Sequence, residues 1–206
     1  MDYVLREPES GGPSELILLL HGYGESGGSL LRRLQAALPP EALVLAPNAP
    51  FPFAEKTEER YRMAYSWYFY DFQTDEYVID MKTSLGFLAT GIEKLGYSSL
   101  PLRIIGFSQG GYLAPFVGER LARTRQVIGL HSTYLHEELA PALGFRADNI
   151  VGALDTVVDP ESSRRSHAQI LKRSRGGAFF SLEGVGHRID EAVVRKTAEL
   201  LQCTEA

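Results

Sequence analysis

The sequence predicts an α/β fold, a mostly parallel sheet with helices on both faces, formed as a single domain over residues 1–206. Two observations carry this expectation. Short, continuously apolar runs recur along the chain, and most of the segments between them place apolar residues three and four positions apart. A strand covered on both faces reads as an unbroken apolar run, whereas a helix lying on a sheet shows one apolar stripe. Alternation of the two patterns indicates parallel strands joined by helical crossovers. A third observation is permissive: 206 residues, 44% of them hydrophobic and 23% charged, suit a globular chain with a sizeable core.

The elements follow in order. Strands are expected at LILLL (16–20), ALVLA (42–46), LRIIGF (102–107), QVIGLH (126–131), NIVGAL (149–154) and AFFSL (178–182). Helical spacing appears in Leu30, Leu31, Leu34 and Leu38, and again in Met81, Leu85, Leu88, Ile92 and Leu95. Tyr112, Leu113, Phe116 and Val117 give a further apolar stripe. Ala192, Val193, Ala198, Leu200 and Leu201 give the last, with Asp190 as its N-cap. Residues 51–77 form a long connection dense in aromatics. No repeat, low-complexity tract or linker divides the chain.

Composition narrows the function. A net charge of -5 argues against nucleic acid as a partner. The local cluster Lys172, Arg173 and Arg175 reads as cations complementing a helix C-terminus. Cys203 is the single cysteine, so no intrachain disulfide is expected. Neither CxxC nor HExxH spacing occurs, and no metal or other cofactor is expected. The N-terminus lacks the order of a signal peptide, and Leu16–Leu20 is too short to span a bilayer. The expectation is a cytoplasmic protein without stable membrane insertion; no heptad or interface stripe speaks to its oligomeric state.

Chemistry concentrates where apolar runs end, the edge at which parallel sheets place their sites. Gly106-Phe107-Ser108-Gln109-Gly110 fits G-x-S-x-G, a serine held on a sharp strand-to-helix turn. Glycine is required two positions either side because side chains there would strike the neighbouring strand and helix. A serine hydroxyl needs a base to take its proton, and His187, in the loop EGVGHRID, is the candidate. His136 and His167 read as solvated surface histidines, His131 as structural, and His21 as a brace for its own turn. The base needs an acidic partner. Asp155 follows NIVGAL at the same edge, whereas Asp159 precedes Pro160 and reads as a helix start. Ser108, Asp155, His187 is the chain order expected of α/β-hydrolases. Backbone amides of Gln109 and of Tyr23, in the glycine loop HGYG, are the expected oxyanion donors.

LLLHGYGES, APNAP (46–50), GFSQGG, GALDTVV (152–158) and GVGH (184–187) together resemble the phospholipase/carboxylesterase family, the small α/β-hydrolases that include acyl-protein thioesterases. The resemblance implies the same triad and oxyanion donors, and an α/β-hydrolase fold. It departs at Glu25, where the family commonly has aspartate, and at Thr156, where it often has proline. The expected activity is that of a serine carboxylesterase acting on a small ester or acyl substrate. An acyl-protein thioesterase or lysophospholipase would use the same residues, and a non-catalytic binder of apolar ligands is the alternative of another class. Little chain separates His131 from Asn149, so no large cap domain is expected. Tyr65, Trp67, Phe69 and Phe107 are the candidates for the acyl-binding wall, with packing of a short strand as the competing reading of the first three.

Overall fold

The computed structural model describes residues 1–71 and 73–202, so Phe72 and Cys203 lie outside the described residues. All six apolar runs form strands. They are β2 (Leu16–Leu20), β3 (Leu43–Pro47), β8 (Leu102–Phe107), β9 (Thr124–Leu130), β10 (Arg146–Gly152) and β11 (Phe179–Leu182). These six are mutually parallel. A further strand, β1 (Tyr3–Arg6), adds antiparallel to β3, giving the order β1-β3-β2-β8-β9-β10-β11.

Alternation along each strand separates two cores. Leu16, Leu18 and Leu20 of β2, with Ile104 of β8, pack towards α2 (Lys82–Lys94), α3 (Gln109–Arg120) and α4 (Pro160–Leu171). Ile17, Leu19 and Ile105 pack on the opposite face, against α1 (Gly27–Leu34) and α5 (Glu191–Gln202). Asp190 caps α5 through Oδ1, which accepts from the amides of Ala192 at 3.0 Å and Val193 at 3.2 Å. Asp159 caps α4 with Pro160 in the first turn, where a missing N–H costs nothing.

The aromatic connection folds into two hairpins outside the main sheet. One pairs β4 (Phe51–Lys56) with β5 (Tyr61–Ser66); the other pairs β6 (Phe69–Asp71) with β7 (Glu76–Ile79). Two expectations for histidine fail here. His167 is buried on α4, its Nε2 donating to the Ala147 carbonyl at 2.9 Å between the rings of Tyr134 and Phe179. That helix is poor in apolar residues, so Ser163, Ser166, His167 and Ile170 make its buried face. His136 is half-buried in a short 3-10 turn, whose carbonyls at His136 and Leu139 accept from Arg173 Nη1.

Registry sets the position of the site. Leu20 pairs with Gly106, Phe107 with Leu130, Leu130 with Ile150, and Gly152 with Leu182. The strands therefore end together, and the loops carrying His21, Ser108, His131, Asp155 and His187 share one edge.

Candidate active site

Ser108 joins β8 to α3 with φ 49° and ψ -118°, a backbone conformation that L-residues rarely hold. The flanking glycines are required by contact. A Cβ on Gly106 would lie 2.2 Å from the Gly110 carbonyl oxygen, and one on Gly110 would lie 2.1 Å from that of Leu20. No side chain fits at either place. The Ser108 amide continues the sheet ladder to the Leu130 carbonyl at 2.9 Å, so the strained residue is held from behind.

The structure brings Ser108, His187 and Asp155 together. His187 Nε2 lies 3.0 Å from Ser108 Oγ, and Nδ1 lies 2.8 Å from Asp155 Oδ2. A carboxylate only accepts, so Nδ1 carries the proton and Nε2 presents a lone pair to the serine. Asp155 Oδ1 accepts from the amides of Val157 and Val158, both at 2.9 Å. Burial alone would push this carboxyl up, but the Val158 and Val157 amides and the two imidazoles it meets outweigh burial and hold it below the usual carboxylate range.

One of those imidazoles belongs to His131, whose Nδ1 is 2.8 Å from the same Oδ2. Sequence reasoning gave this histidine a structural role; what it missed is the contact, which spans adjacent strands and has no local signature. One ring nitrogen each of His131 and His187 and an oxygen of Asp155 lie within 4.8 Å of one another, a spacing that metal ligands also adopt. Both ring nitrogens already address the carboxylate, an arrangement that holds protons.

The loop after β2 lies against the elbow, as the approach of Gly110 to the Leu20 and His21 carbonyls requires. His21 braces it: Nδ1 donates to the Gly22 carbonyl at 2.7 Å, and Nε2 accepts from the Ala49 amide at 3.0 Å. Burial lowers its pKa to about 4, aided by Arg33 and opposed by the Gly22 carbonyl. The Glu25 carboxylate accepts from the Gly22 amide at 3.2 Å and pairs with Arg33. The Tyr23 and Gln109 amides find no acceptor among the described residues. The Gln109 side chain, whose role the sequence did not suggest, ties the elbow to the aromatic segment. Its Oε1 accepts from the Trp67 amide at 3.0 Å, and its Nε2 donates to the Tyr68 carbonyl at 2.8 Å.

The four expected wall residues divide. Trp67 is 0% exposed, its indole N–H donating to the His21 carbonyl at 2.8 Å; it is a core residue, because a buried indole needs that partner. Phe107 is also buried and packs behind His187, ring centroids 5.2 Å apart, so it supports the imidazole and forms no open wall. Tyr65 is half-buried, and its carbonyl accepts from the Gly24 amide at 3.0 Å. Phe69, half-buried, joins Phe53 and the ring of Tyr23, which stack on each other at 5.1 Å.

A mostly parallel sheet with a strained serine elbow at its carboxyl edge is the architecture of an α/β-hydrolase. The chain belongs to the FSH1 serine hydrolase family, whose model matches residues 13–187. Similar solved structures include esterase PE8, with 23% identity over 98% of this chain and 97% of that one, at a TM-score of 0.72. Acyl-protein thioesterase 2 of Zea mays has 17% identity over 97% of this chain and 96% of that one, also at 0.72. A carboxylesterase of Bacillus cereus has 16% identity over 96% and 92%, at 0.71. At these identities the likeness is one of fold. No curated relative matches the sequence. None of the helices among the described residues is long and apolar enough to cross a membrane.

Proposed function

We propose that the protein is a serine carboxylesterase working through an acyl-enzyme. The observation that carries this reading is the unbroken chain from Ser108 Oγ through His187 to Asp155, with contacts of 3.0 and 2.8 Å. Ser108 Oγ attacks the ester carbonyl carbon while His187 Nε2 takes its proton. Asp155 stays ionised and stabilises the imidazolium. The Tyr23 and Gln109 amides receive the oxyanion, and α3 directs its N-terminal dipole towards it. Collapse of the tetrahedral intermediate expels the alcohol, which leaves with the proton from His187. Water then repeats the sequence on the acyl-enzyme and frees the acid.

The aromatic cluster of Tyr23, Phe53 and Phe69 carries one of the two oxyanion-donor residues, and Leu154 and Val157, either side of Asp155, expose apolar side chains; these are the apolar surfaces the reading offers an acyl group. Such surfaces suit an apolar or aromatic acyl group and disfavour a charged one. A thioester differs only in its leaving group and is the alternative substrate for the same machinery.

The test is hydrolysis of p-nitrophenyl esters from acetate upward, with a serine-directed fluorophosphonate and Ser108→Ala as controls. Turnover should fall by at least about 10⁴-fold in the variant and after labelling. Turnover that survives the substitution overturns the covalent mechanism. Labelling of Ser108 without ester turnover would redirect the reading to thioesters.

A further inference from the structure

We propose that His131 is a positioning residue for the reaction: a second histidine on the triad carboxylate that fixes Asp155 in one orientation and shares its charge with His187. This rests on the triad reading above. Three observations support it. The first is stoichiometric. Asp155 Oδ2 meets His131 Nδ1 and His187 Nδ1 at 2.8 Å each, and Oδ1 meets the Val157 and Val158 amides at 2.9 Å each. Four donors occupy the four lone-pair sites, so the carboxylate cannot rotate without losing one.

The second observation is conformational. His131 has φ 50°, and among the described residues only Asp75 and Ser108 share a positive φ without being glycine. Asp75 is exposed, in the turn between β6 and β7, where such a conformation is ordinary. His131 is fully buried at the end of β9. An unstrained residue there would continue the strand, and its side chain would point onto a face of the sheet. The left-handed turn brings the ring over the sheet edge to the carboxylate.

The third is chemical. His131 Nε2 is buried without a hydrogen-bond partner of good geometry, so Nδ1 anchors the ring. The Gly152 amide approaches Nδ1 only to 3.4 Å, too far to compete with the carboxylate. Burial keeps the imidazole neutral below its ordinary range. Asp155 and the Arg188 carbonyl favour the charged ring, and His187 opposes it. A neutral Nδ1–H donor withdraws part of the charge on Oδ2 without adding a cation beside His187. The base is then oriented by a carboxylate weaker than one serving it alone. The other titratable group facing Asp155 is Tyr112 on α3, whose phenol is raised, mainly by burial, and stays neutral. Arg33, from α1, lies over the ring of Phe107, 4.9 Å from its centroid, and its charge is paired with Glu25.

The test compares three variants with wild type, each first checked for a cooperative melt. His131→Gly accepts the backbone angle without strain and removes the donor. His131→Ala removes the donor with a side chain retained. His131→Asn tolerates a left-handed φ and keeps an N–H near the position of Nδ1. Rates of Ser108 phosphonylation by the fluorophosphonate and of p-nitrophenyl ester turnover are followed against pH. Losing the donor returns the full carboxylate charge to the His187 imidazolium. The acid limb should therefore move up by about half to one pH unit. The freed carboxylate should lower the plateau rate by about tenfold. His131→Asn should recover most of both effects.

The proposal is overturned if the folded donorless variants keep the wild-type limb and plateau. It is also overturned if all three variants slow equally with the limb unmoved, as a purely packing role would give. Failure of the wild type to label at Ser108 would be a different result, defeating the triad reading itself.

Discussion

Lowering the pH towards 4 should destabilise this protein before its carboxylates titrate, and His21 gives the effect a magnitude. Its ring is fully buried, with Nδ1 donating to the Gly22 carbonyl and Nε2 accepting from the Ala49 amide. A proton on Nε2 would set N–H against N–H in a site without water access. Its pKa falls from 6.5 to about 4, chiefly through burial. The unfolded chain takes up this proton near 6.5 and the folded one does not until about 4. His21 therefore contributes fully above 6.5, and its contribution is lost as pH falls through the interval. The gap is worth about 3 kcal/mol, at about 1.36 kcal/mol per pH unit. His131 and His167 are depressed in the same direction, mainly by burial, and steepen the loss. Asp155, held below the carboxylate range, loses its contribution only at lower pH. Guanidinium unfolding of wild type and His21→Leu, from about pH 7.5 to about 4.5, separates these terms. The variant should be less stable at neutral pH by about 1–3 kcal/mol, because the Ala49 amide loses its acceptor. Its stability should also depend on pH by nearly one proton less. Identical slopes in the two proteins would refute the assignment.

Two further substitutions probe the site. Ser108→Gly should abolish turnover yet melt above Ser108→Ala by about 2–4 °C, since glycine relieves about 1 kcal/mol of backbone strain; calorimetry showing no difference would mean the elbow stores none. Glu25→Gln weakens the hold on the Gly22 amide and breaks the pair with Arg33. It should lower kcat by about tenfold with KM little changed, short of the roughly hundredfold expected for losing an oxyanion donor outright. An effect confined to KM would place Glu25 in substrate binding.

The doubly buried strands were legible because burial on both faces leaves an apolar run that nothing else in the chain imitates. β1 was not: Tyr3 and Val4 are exposed on an edge strand, so its four residues carry no pattern. The hairpins were hidden for a related reason. β4 contains Pro52, which argues against a strand unless it lies at an edge, and its aromatic residues read equally well as a pocket. Within the candidate site, Ser108, Asp155 and His187 each follow a strand in chain order, so position alone could nominate them. Contacts that depend on strand order could not be found that way. Whether Trp67 lines a cavity or fills the core turns on a carbonyl 46 residues away in sequence. His131 meets Asp155 only because β9 and β10 are neighbours.

Ser108 and His131 end adjacent strands, and the same device places both. Each amide continues the parallel ladder onto the next strand, Ser108 to the Leu130 carbonyl at 2.9 Å and His131 to that of Ile150 at 2.8 Å. The ladder fixes the backbone up to the strained residue, and the positive φ then carries the side chain over the sheet edge. Strain of about 1–3 kcal/mol at each position is sustained by strand pairing that would exist in any case. The glycines make room for it: a Cβ on Gly111 would lie 2.4 Å from Ser132 Oγ, immediately after His131. The turn at Ser108 and the turn at His131 are therefore packed against each other. A substitution that relaxes one should disturb the other, so the turns that follow β8 and β9 are expected to respond as one unit.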